Sequence, residues 1–281
     1  MCQFCVEHGD GKKWYLEASN YAYDLESDLK RRGYIVEFVS DFDTKRARAI
    51  GGMELLGKLP QPLEHAGKKA MSKRMQPVHY GQPVPIEECA QIFDIATSIV
   101  RIPCVCRLWA KPTKPAEAVC ILVTTQPVEP LLEEGFSGYE NGPDTSQFER
   151  ITKPEALALL RDCEERGLMH SVWTFLTPFI GAICNCDQES GCMAMRLTKG
   201  YSMPLMWRGE WVARLDSEAC TGCGACARLC PFGAITRTGR GAPVRLDERE
   251  CWGCGICRSG CRSDALSLVD RRDVPAVANL W

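Results

Sequence analysis

The sequence contains no long hydrophobic run. No 18 consecutive residues are apolar, whereas a bilayer-spanning helix needs about 20. The most apolar stretches, "SIVRIPCVC" and "AVCILVT", are far too short. The opening "MCQFCVEHGDGKKW" is polar and charged, not a charged-then-apolar leader. The expectation is therefore a cytoplasmic chain without direct membrane insertion. Excess charge is also missing. The 34 Lys and Arg against 36 Asp and Glu leave a net charge of −2, with a pI near 6.2. That balance argues against nucleic-acid binding and against general attachment to anionic surfaces. Histidine is scarce, at four residues. His170 reads as a hydrogen-bonded structural histidine, while His65 and His79 lie in polar, proline-flanked segments with nothing convergent nearby. Several signatures are absent. No G-x-G-x-x-G joins a strand to a helix, and no G-x-x-x-x-G-K-[ST] occurs, so neither a dinucleotide-binding unit nor ATP-driven chemistry is expected. No C-x3-C-x2-C, G-x-S-x-G or zinc-protease signature occurs either. Nothing in the motifs supports bond-making chemistry on an organic substrate by the chain alone.

Cysteine is what the chain has in quantity: 18 residues. Without a leader, and at tight C-x-x-C and C-x-C spacings, they suit metal better than structural disulfides, because a reducing compartment keeps the thiols free. Such cysteine density is most at home in anaerobic or well-protected metabolism.

Two repeats dominate the tail. "CTGCGACARLCPFGAI" begins at Cys220 and "CWGCGICRSGCRSDAL" at Cys251. Each contains C-x2-C-x2-C-x3-C. Three sulfurs on one tight loop converge on a single cubane, and in this run the fourth cysteine ligates the other cluster. Cys220, Cys223, Cys226 and Cys261 are thus assigned to one 4Fe–4S cluster, and Cys251, Cys254, Cys257 and Cys230 to a second. Gly222, Gly224, Gly253 and Gly255 lie where backbone must approach sulfide closely. Pro231 turns the chain away after Cys230. Zinc ribbons use two C-x-x-C pairs rather than such triplets. Residues 214–269 closely resemble bacterial-type two-cluster ferredoxins, with Arg262 standing where that family often has a second proline. Clusters of this kind are expected at low potential, on the order of −400 mV.

Further cysteines lie upstream. "IPCVCRLW" holds Cys104 and Cys106, and "GAICNCDQESGC" holds Cys184, Cys186 and Cys192. A C-x-C pair in an extended segment points both side chains to one face. Two such pairs are expected to meet across a sheet as a third metal site, a 4Fe–4S cluster ahead of zinc. Cys120, in the apolar run "AVCILVTT", stands between ligation and plain burial. "VRIPCVCRLW", "EAVCILVTT" and "LMHSVWTF" read as strands. "PVPIEECAQIFDIATSIV" reads as an amphipathic helix with Ile86, Cys89, Ala90, Phe93, Ala96 and Val100 on one stripe, which places Cys89 in the core. "ITKPEALALLRDCEERGLMHSV" reads as a helix with a Thr152/Glu155 capping box and Gly167 as its stop. Its buried stripe is Ala156, Leu159, Leu160 and Cys163. The order of C-x-C-R strand, helix ending "GLMH", "CNC" and two-cluster tail resembles a group of prokaryotic 4Fe–4S dicluster-domain iron–sulfur proteins. The resemblance spans residues 82–268 and implies electron transfer within a redox complex without naming a substrate.

At the front, Cys2, Cys5 and His8 form C-x-x-C-x2-H. This is half a metal site, a dithiol that cycles with a disulfide, or, for Cys2 and Cys5, a supplement to the central site. "KKWYLEASNYAYDLESDLKRRG" reads as a helix stopped by Gly33. Residues 44–80 hold eight Lys or Arg against two Glu, a mobile arm or a docking face for an acidic redox partner. The acidic stretch 129–149 reads as a solvated loop or a second docking surface. "YSMPLMWRGEWVARL" is expected to pack the centre onto the tail and to hold the third site near the Cys220 set.

The fold class expected is α+β: a helical N-terminal segment over 1–80, a mixed central domain over 81–212 and a ferredoxin-like domain over 213–281. The function expected is single-electron transfer between redox protein partners or inside a larger oxidoreductase complex. The alternative is a reductase whose central site binds a small substrate and is fed electrons by the tail.

Overall fold

The computed structural model describes residues 1–26, 28–110, 119–127, 148–187 and 192–281. The acidic stretch 129–149 falls outside these residues as far as 147, and residues 111–118 and 188–191 also lie outside them.

The fold is α+β, built around a six-stranded sheet. Its strands are β1 (Gly81–Pro83), β2 (Ser98–Ile102), β3 (Cys120–Thr124), β4 (Glu149–Arg150), β5 (Met169–Thr174) and β6 (Ile180–Cys186), in the order β1-β5-β6-β3-β2-β4. Every neighbouring pair is antiparallel. The period of two along each strand sorts side chains to opposite faces. One face carries Val172, Ile183, Ile121 and Val123 and is covered by α6 (Ile86–Ile95), α8 (Lys153–Glu165) and the N-terminal aromatics Phe4, Trp14 and Tyr15. The other carries Met169, Trp173, Cys184 and Cys186. It meets α4 (Phe42–Leu56) and the segment from Met193 to Met206, including α9 (Met193–Met195).

Local chemistry explains where the helices begin and end. Thr152 caps α8: its side chain accepts from the Glu155 N–H and Glu155 answers on the Thr152 N–H, while Gly167 takes a positive φ of 79° beyond the last turn. Cys89 and Cys163 are fully buried. Residues 12–33 do not form one helix. Two 3₁₀ turns, Trp14–Leu16 and Ala18–Tyr21, lead to α2 (Tyr23–Glu26). The long helix α3 (Leu29–Ser40) starts only where the Asp28 carboxylate accepts from the Arg31 N–H, so Gly33 lies inside it. Tertiary burial overrides the helical pattern here. Trp14, Tyr15 and Tyr21 are fully buried, and burial of such side chains stabilises by roughly 1.5–3 kcal/mol each. Asn20 then fixes the irregular backbone by donating to the carbonyls of His8 and Trp14.

Further expectations are corrected. The strand through Cys104 and Cys106 stops at Ile102, because Pro103 has no N–H for the ladder. The chain turns into α7 (Val105–Ala110). Likewise α6 ends at Ile95, and Val100 belongs to β2. Of the basic residues in 44–80, Lys45, Arg46 and Arg48 sit on α4, Lys58 in the turn after it, and Lys68, Lys69, Lys73 and Arg74 on α5 (Gln61–Met75). His79 is not isolated. Its ring stacks on Trp173 at 5.0 Å and lies 4.6 Å from Phe38, with Nδ1 at 2.6 Å from the Thr174 carbonyl. α1 (Gln3–His8) brings Cys2 and Cys5 into the core.

The tail repeats one motif twice. β7 (Trp211–Leu215) pairs with β10 (Leu266–Asp270), and β8 (Ile235–Thr236) with β9 (Arg245–Leu246). A short helix follows each cysteine loop: α10 (Ala225–Leu229) and a 3₁₀ turn, Ile256–Arg258. The linker hydrogen-bonds to the sheet edge, with the Trp207 N–H donating to Gly81 O at 2.8 Å and the Gly81 N–H to Leu205 O at 3.1 Å. Met203, Leu205 and Met206 share a core with Phe232, Cys254 and Ile256, and Phe232 stacks on Trp252 at 4.9 Å. No helix among the described residues is long and apolar enough to cross a membrane.

Arg271 closes this junction. It is fully buried and donates to the carbonyls of Gly209, Trp211 and Cys251 at 2.8–2.9 Å. Arg271→Met removes the donor to the Gly209 and Trp211 carbonyls, at about 1–3 kcal/mol each, and leaves the Cys251 carbonyl to Arg208 at 3.2 Å. Chemical denaturation of the cluster-loaded protein is expected to show a loss of about 3–5 kcal/mol, against less than about 1 kcal/mol for the exposed Arg272→Met.

Candidate metal–sulfur centres

Each tail loop turns where only glycine fits. Gly222 and Gly253 have φ of 68° and 76°, and a Cβ on either would stand 2.2 Å from a carbonyl oxygen, of Ala242 and Trp211 respectively. The backbone is thereby held against the thiols. The Ala213 N–H donates to Cys251 Sγ at 3.3 Å. The N–H groups of Ala225 and Ile256 point at Cys223 and Cys254.

The eight tail thiols fall into two sets. Burial raises the pKa of Cys226, and the sulfurs of Cys261, Cys220 and Cys223 raise it further. These four cysteines line one pocket walled by Leu215, Val244 and Leu266. Burial likewise raises Cys251, Cys254 and Cys257, and each of them also feels Cys230. Each fourth thiol thus lies with the other loop's triplet. Cys257 feels Cys226 as well, so the two sets adjoin. Cys223 is exposed, with its pKa lowered by the Ala225 N–H, whereas Cys254 is buried in the core shared with the sheet. Soft donors, aimed N–H groups and glycine cradles together fit an iron–sulfur cluster in each set.

The sheet brings together six upstream thiols. β6 presents Cys184 and Cys186 on one face, β3 contributes Cys120, and Cys104 and Cys106 flank the start of α7. Cys192 immediately precedes α9. The contacts close into a ring. Cys104 meets Cys106 and Cys120, Cys106 meets Cys192, Cys192 meets Cys186, Cys186 meets Cys184, and Cys184 meets Cys120. Hydrogen bonds from Cys106 and Cys120, aided by Arg107, lower the pKa of Cys104, whereas Cys106, Cys120, Cys184, Cys186 and Cys192 are all raised. Six sulfurs this close cannot all carry charge without a cation among them. Arg107 brings a guanidinium to the ring, held by the Asn185 carbonyl at 3.0 Å and by Asp187 at 3.8 Å. Asn185, between the two β6 cysteines, is fixed by His170 Nδ1 at 2.5 Å, and His170 Nε2 lies 3.7 Å from Glu164.

The same thiols form the floor of a cavity of about 720 Å³ whose walls include Phe38, Phe42, Leu122, Trp173, Phe175 and Phe179. Cys106, Cys184, Cys186 and Cys192 share a core with Cys230 and Cys254. The third group of thiols therefore stands nearest the Cys251 set, not the Cys220 set that the linker suggested.

Cys2 and Cys5 do not join the ring. They lie beside Glu210 and Gln82, with Cys2 Sγ and Cys5 Sγ 3.5 Å apart. His8 points away, 3.9 Å from Glu7. The Cys5 pKa is raised by its hydrogen bond to Cys2, by burial and by Glu210. Nothing in the sequence marks Glu210, Gln82, Arg107 or Arg271 for these roles, since each reaches its partners only through the fold.

Residues 213–236, which span β7, the first cysteine motif and β8, match the family model described as a 4Fe-4S binding domain. No curated protein matches the chain. The chain thus carries at least one 4Fe–4S site and has an iron–sulfur electron-transfer role. Gly222→Ala, in the matched motif, drives a Cβ into the Ala242 carbonyl. Iron and acid-labile sulfide assays on that variant are expected to fall by about four of each per chain, one cubane's worth.

Proposed function

We propose that the chain is an electron-transfer protein or subunit that passes single low-potential electrons through three metal–sulfur centres. The two tail clusters would be held by Cys220, Cys223, Cys226 and Cys261, and by Cys251, Cys254, Cys257 and Cys230. The third would be a cluster on the ring of Cys104, Cys106, Cys120, Cys184, Cys186 and Cys192. The observation that carries this reading is the grouping of the thiols into three adjoining sets. A 4Fe–4S cluster takes up and releases one electron at a time. The protein's part is to hold the sets close, to exclude water around the inner two and to leave one end reachable. Exposed Cys223 marks the outer end of the series, and the buried ring the inner end.

The helical hairpin of α4 and α5 supports docking of an acidic redox protein. Arg48, Lys58, Lys69, Lys73 and Arg74 are exposed there, around the exposed apolar side chains Leu55, Leu59 and Leu63. Apolar contact rimmed by one sign of charge suits a transient partner.

One observation favours a second reading, a reductase. The apolar cavity over the thiol ring, about 720 Å³, lies within the roughly 300–1,000 Å³ of small-molecule sites. A small apolar acceptor held there would sit against the innermost centre.

Metal analysis after anaerobic purification tests the series. About twelve iron and twelve sulfide per chain are expected, and a Cys120→Ser, Cys184→Ser, Cys192→Ser triple variant, which leaves three ring thiols, is expected to lower both by about four. Eight of each, unchanged in that triple variant, would remove the third cluster. Turnover of a small acceptor by the isolated chain with an artificial reductant would establish the second reading.

A further inference from the structure

The buried group of Cys2, Cys5 and Glu210 has no part in the electron series, yet it is assembled from distant parts of the chain. Cys2 and Cys5 come from the first turn of α1, and Glu210 directly precedes β7, more than 200 residues later. Gln82, on β1, completes the group. All four are buried to 2% exposure or less. Burying a carboxylate among thiols is costly unless something compensates its charge. Lys13 is engaged elsewhere, with Glu88 and over the Trp211 ring. Among the described residues, the ion-pair contact of Glu210 is the Met1 amine, at a long 3.9 Å.

We propose that Cys2 Sγ, Cys5 Sγ, the Glu210 carboxylate and Gln82 Oε1 bind one divalent metal of the zinc class, separate from the iron–sulfur centres. The spacing of the donors carries the argument. Cys2 Sγ lies 3.5 Å from Cys5 Sγ and 3.5 Å from Gln82 Oε1, and Cys5 Sγ lies 3.0 Å from Glu210 Oε1. The edges of a tetrahedron with Zn–O and Zn–S bonds of about 2.0–2.3 Å measure about 3.3–3.8 Å. The two 3.5 Å spacings fall in that range, the 3.0 Å spacing is slightly shorter, and the donor atoms of Cys2, Cys5 and Glu210 all lie within 4.8 Å of one another. Gln82 is held in place from both ends of its amide. Its Oε1 accepts from Trp14 Nε1 at 2.6 Å, and its Nε2 donates to Arg208 O at 2.8 Å. Two thiolates and a carboxylate supply negative charge for a dication, and binding releases the thiol protons to solvent. Four protein ligands leave no open position, which makes the site structural rather than catalytic.

Its position defines its work. The metal would join α1, β1 and the start of β7, where Arg271 also ties Gly209 to the tail. It would staple the cluster-bearing tail to the central sheet.

A zinc and sulfur-shell measurement on the full chain, purified anaerobically, decides between the outcomes. About one zinc per chain is expected, with a zinc K-edge shell of two sulfurs near about 2.3 Å and two oxygens near about 2.0–2.2 Å. Cys5→Ser should reduce the shell to one sulfur. Glu210→Gln should retain roughly tenfold less zinc against a chelator, while iron and labile sulfide stay at wild-type values. An all-sulfur shell would place the zinc on the central ring and overturn the proposal. So would the lack of bound zinc, or a Cys2–Cys5 disulfide in the non-reduced protein by mass spectrometry. The wild-type spectrum decides the matter even if a variant fails to fold, and it does so whatever the iron count shows.

Discussion

Sulfur crowded against sulfur is the constraint from which the rest of this structure follows. The ring and the two tail sets pack thiols together, and hydrogen bonds between thiols, burial and one another's charge raise the pKa values of Cys106, Cys120, Cys184, Cys186, Cys192, Cys226, Cys251, Cys254 and Cys257. Such groups can ionise together only around a cation. The backbone conforms to the same demand. Glycines with positive φ bring N–H groups onto the tail sulfurs, and the Asn185–His170 pair stiffens the strand that presents Cys184 and Cys186.

The second organising element is the shared core between sheet and tail. Met203, Leu205 and Met206 follow the last ring cysteine along the chain and pack on Phe232 and Ile256 of the cysteine-loop region. The ring thiols and the Cys251 set are thereby placed near one another. Polar residues secure the same junction. Arg271 and Gln82 each reach carbonyls on the linker or the second loop, so the tail is fastened by directional bonds as well as apolar packing. Hydrogen bonds of this kind add modest net stability but fix geometry, which is what short-range electron transfer requires.

The polarity of the molecule follows from burial. Cys223 reaches solvent, Cys251, Cys254 and Cys257 are buried, and the ring, with Cys106 and Cys184 half-buried, lines an apolar cavity. Cys223 would offer one redox partner the outer end. A partner docked on α4 and α5, or a small molecule in the cavity, would meet the ring at the inner end. The two readings of function are thus physically compatible.

Short-range pattern was enough to identify much of this from sequence. The tail loops, the Thr152 capping box, the burial of Cys89 and Cys163 and the strand positions of Cys184 and Cys186 all depend on neighbours within a few residues, where spacing alone sets direction. Other features depended on the fold. Cys104 and Cys106 read as a strand until Pro103 removed a ladder hydrogen bond and sent the chain into a helix. Residues 12–21 read as helical until buried aromatics claimed the segment. Cys120 was undecided until β3 was laid beside β6. Cys2 and Cys5 showed only half a site, because Glu210 and Gln82 arrive from other elements. The sequence by itself determined where the cysteines cluster along the chain and how the local loops turn. Only the tertiary structure decided which sulfurs meet, since convergence of side chains far apart in the chain is set by sheet order and packing, not by any period in the sequence.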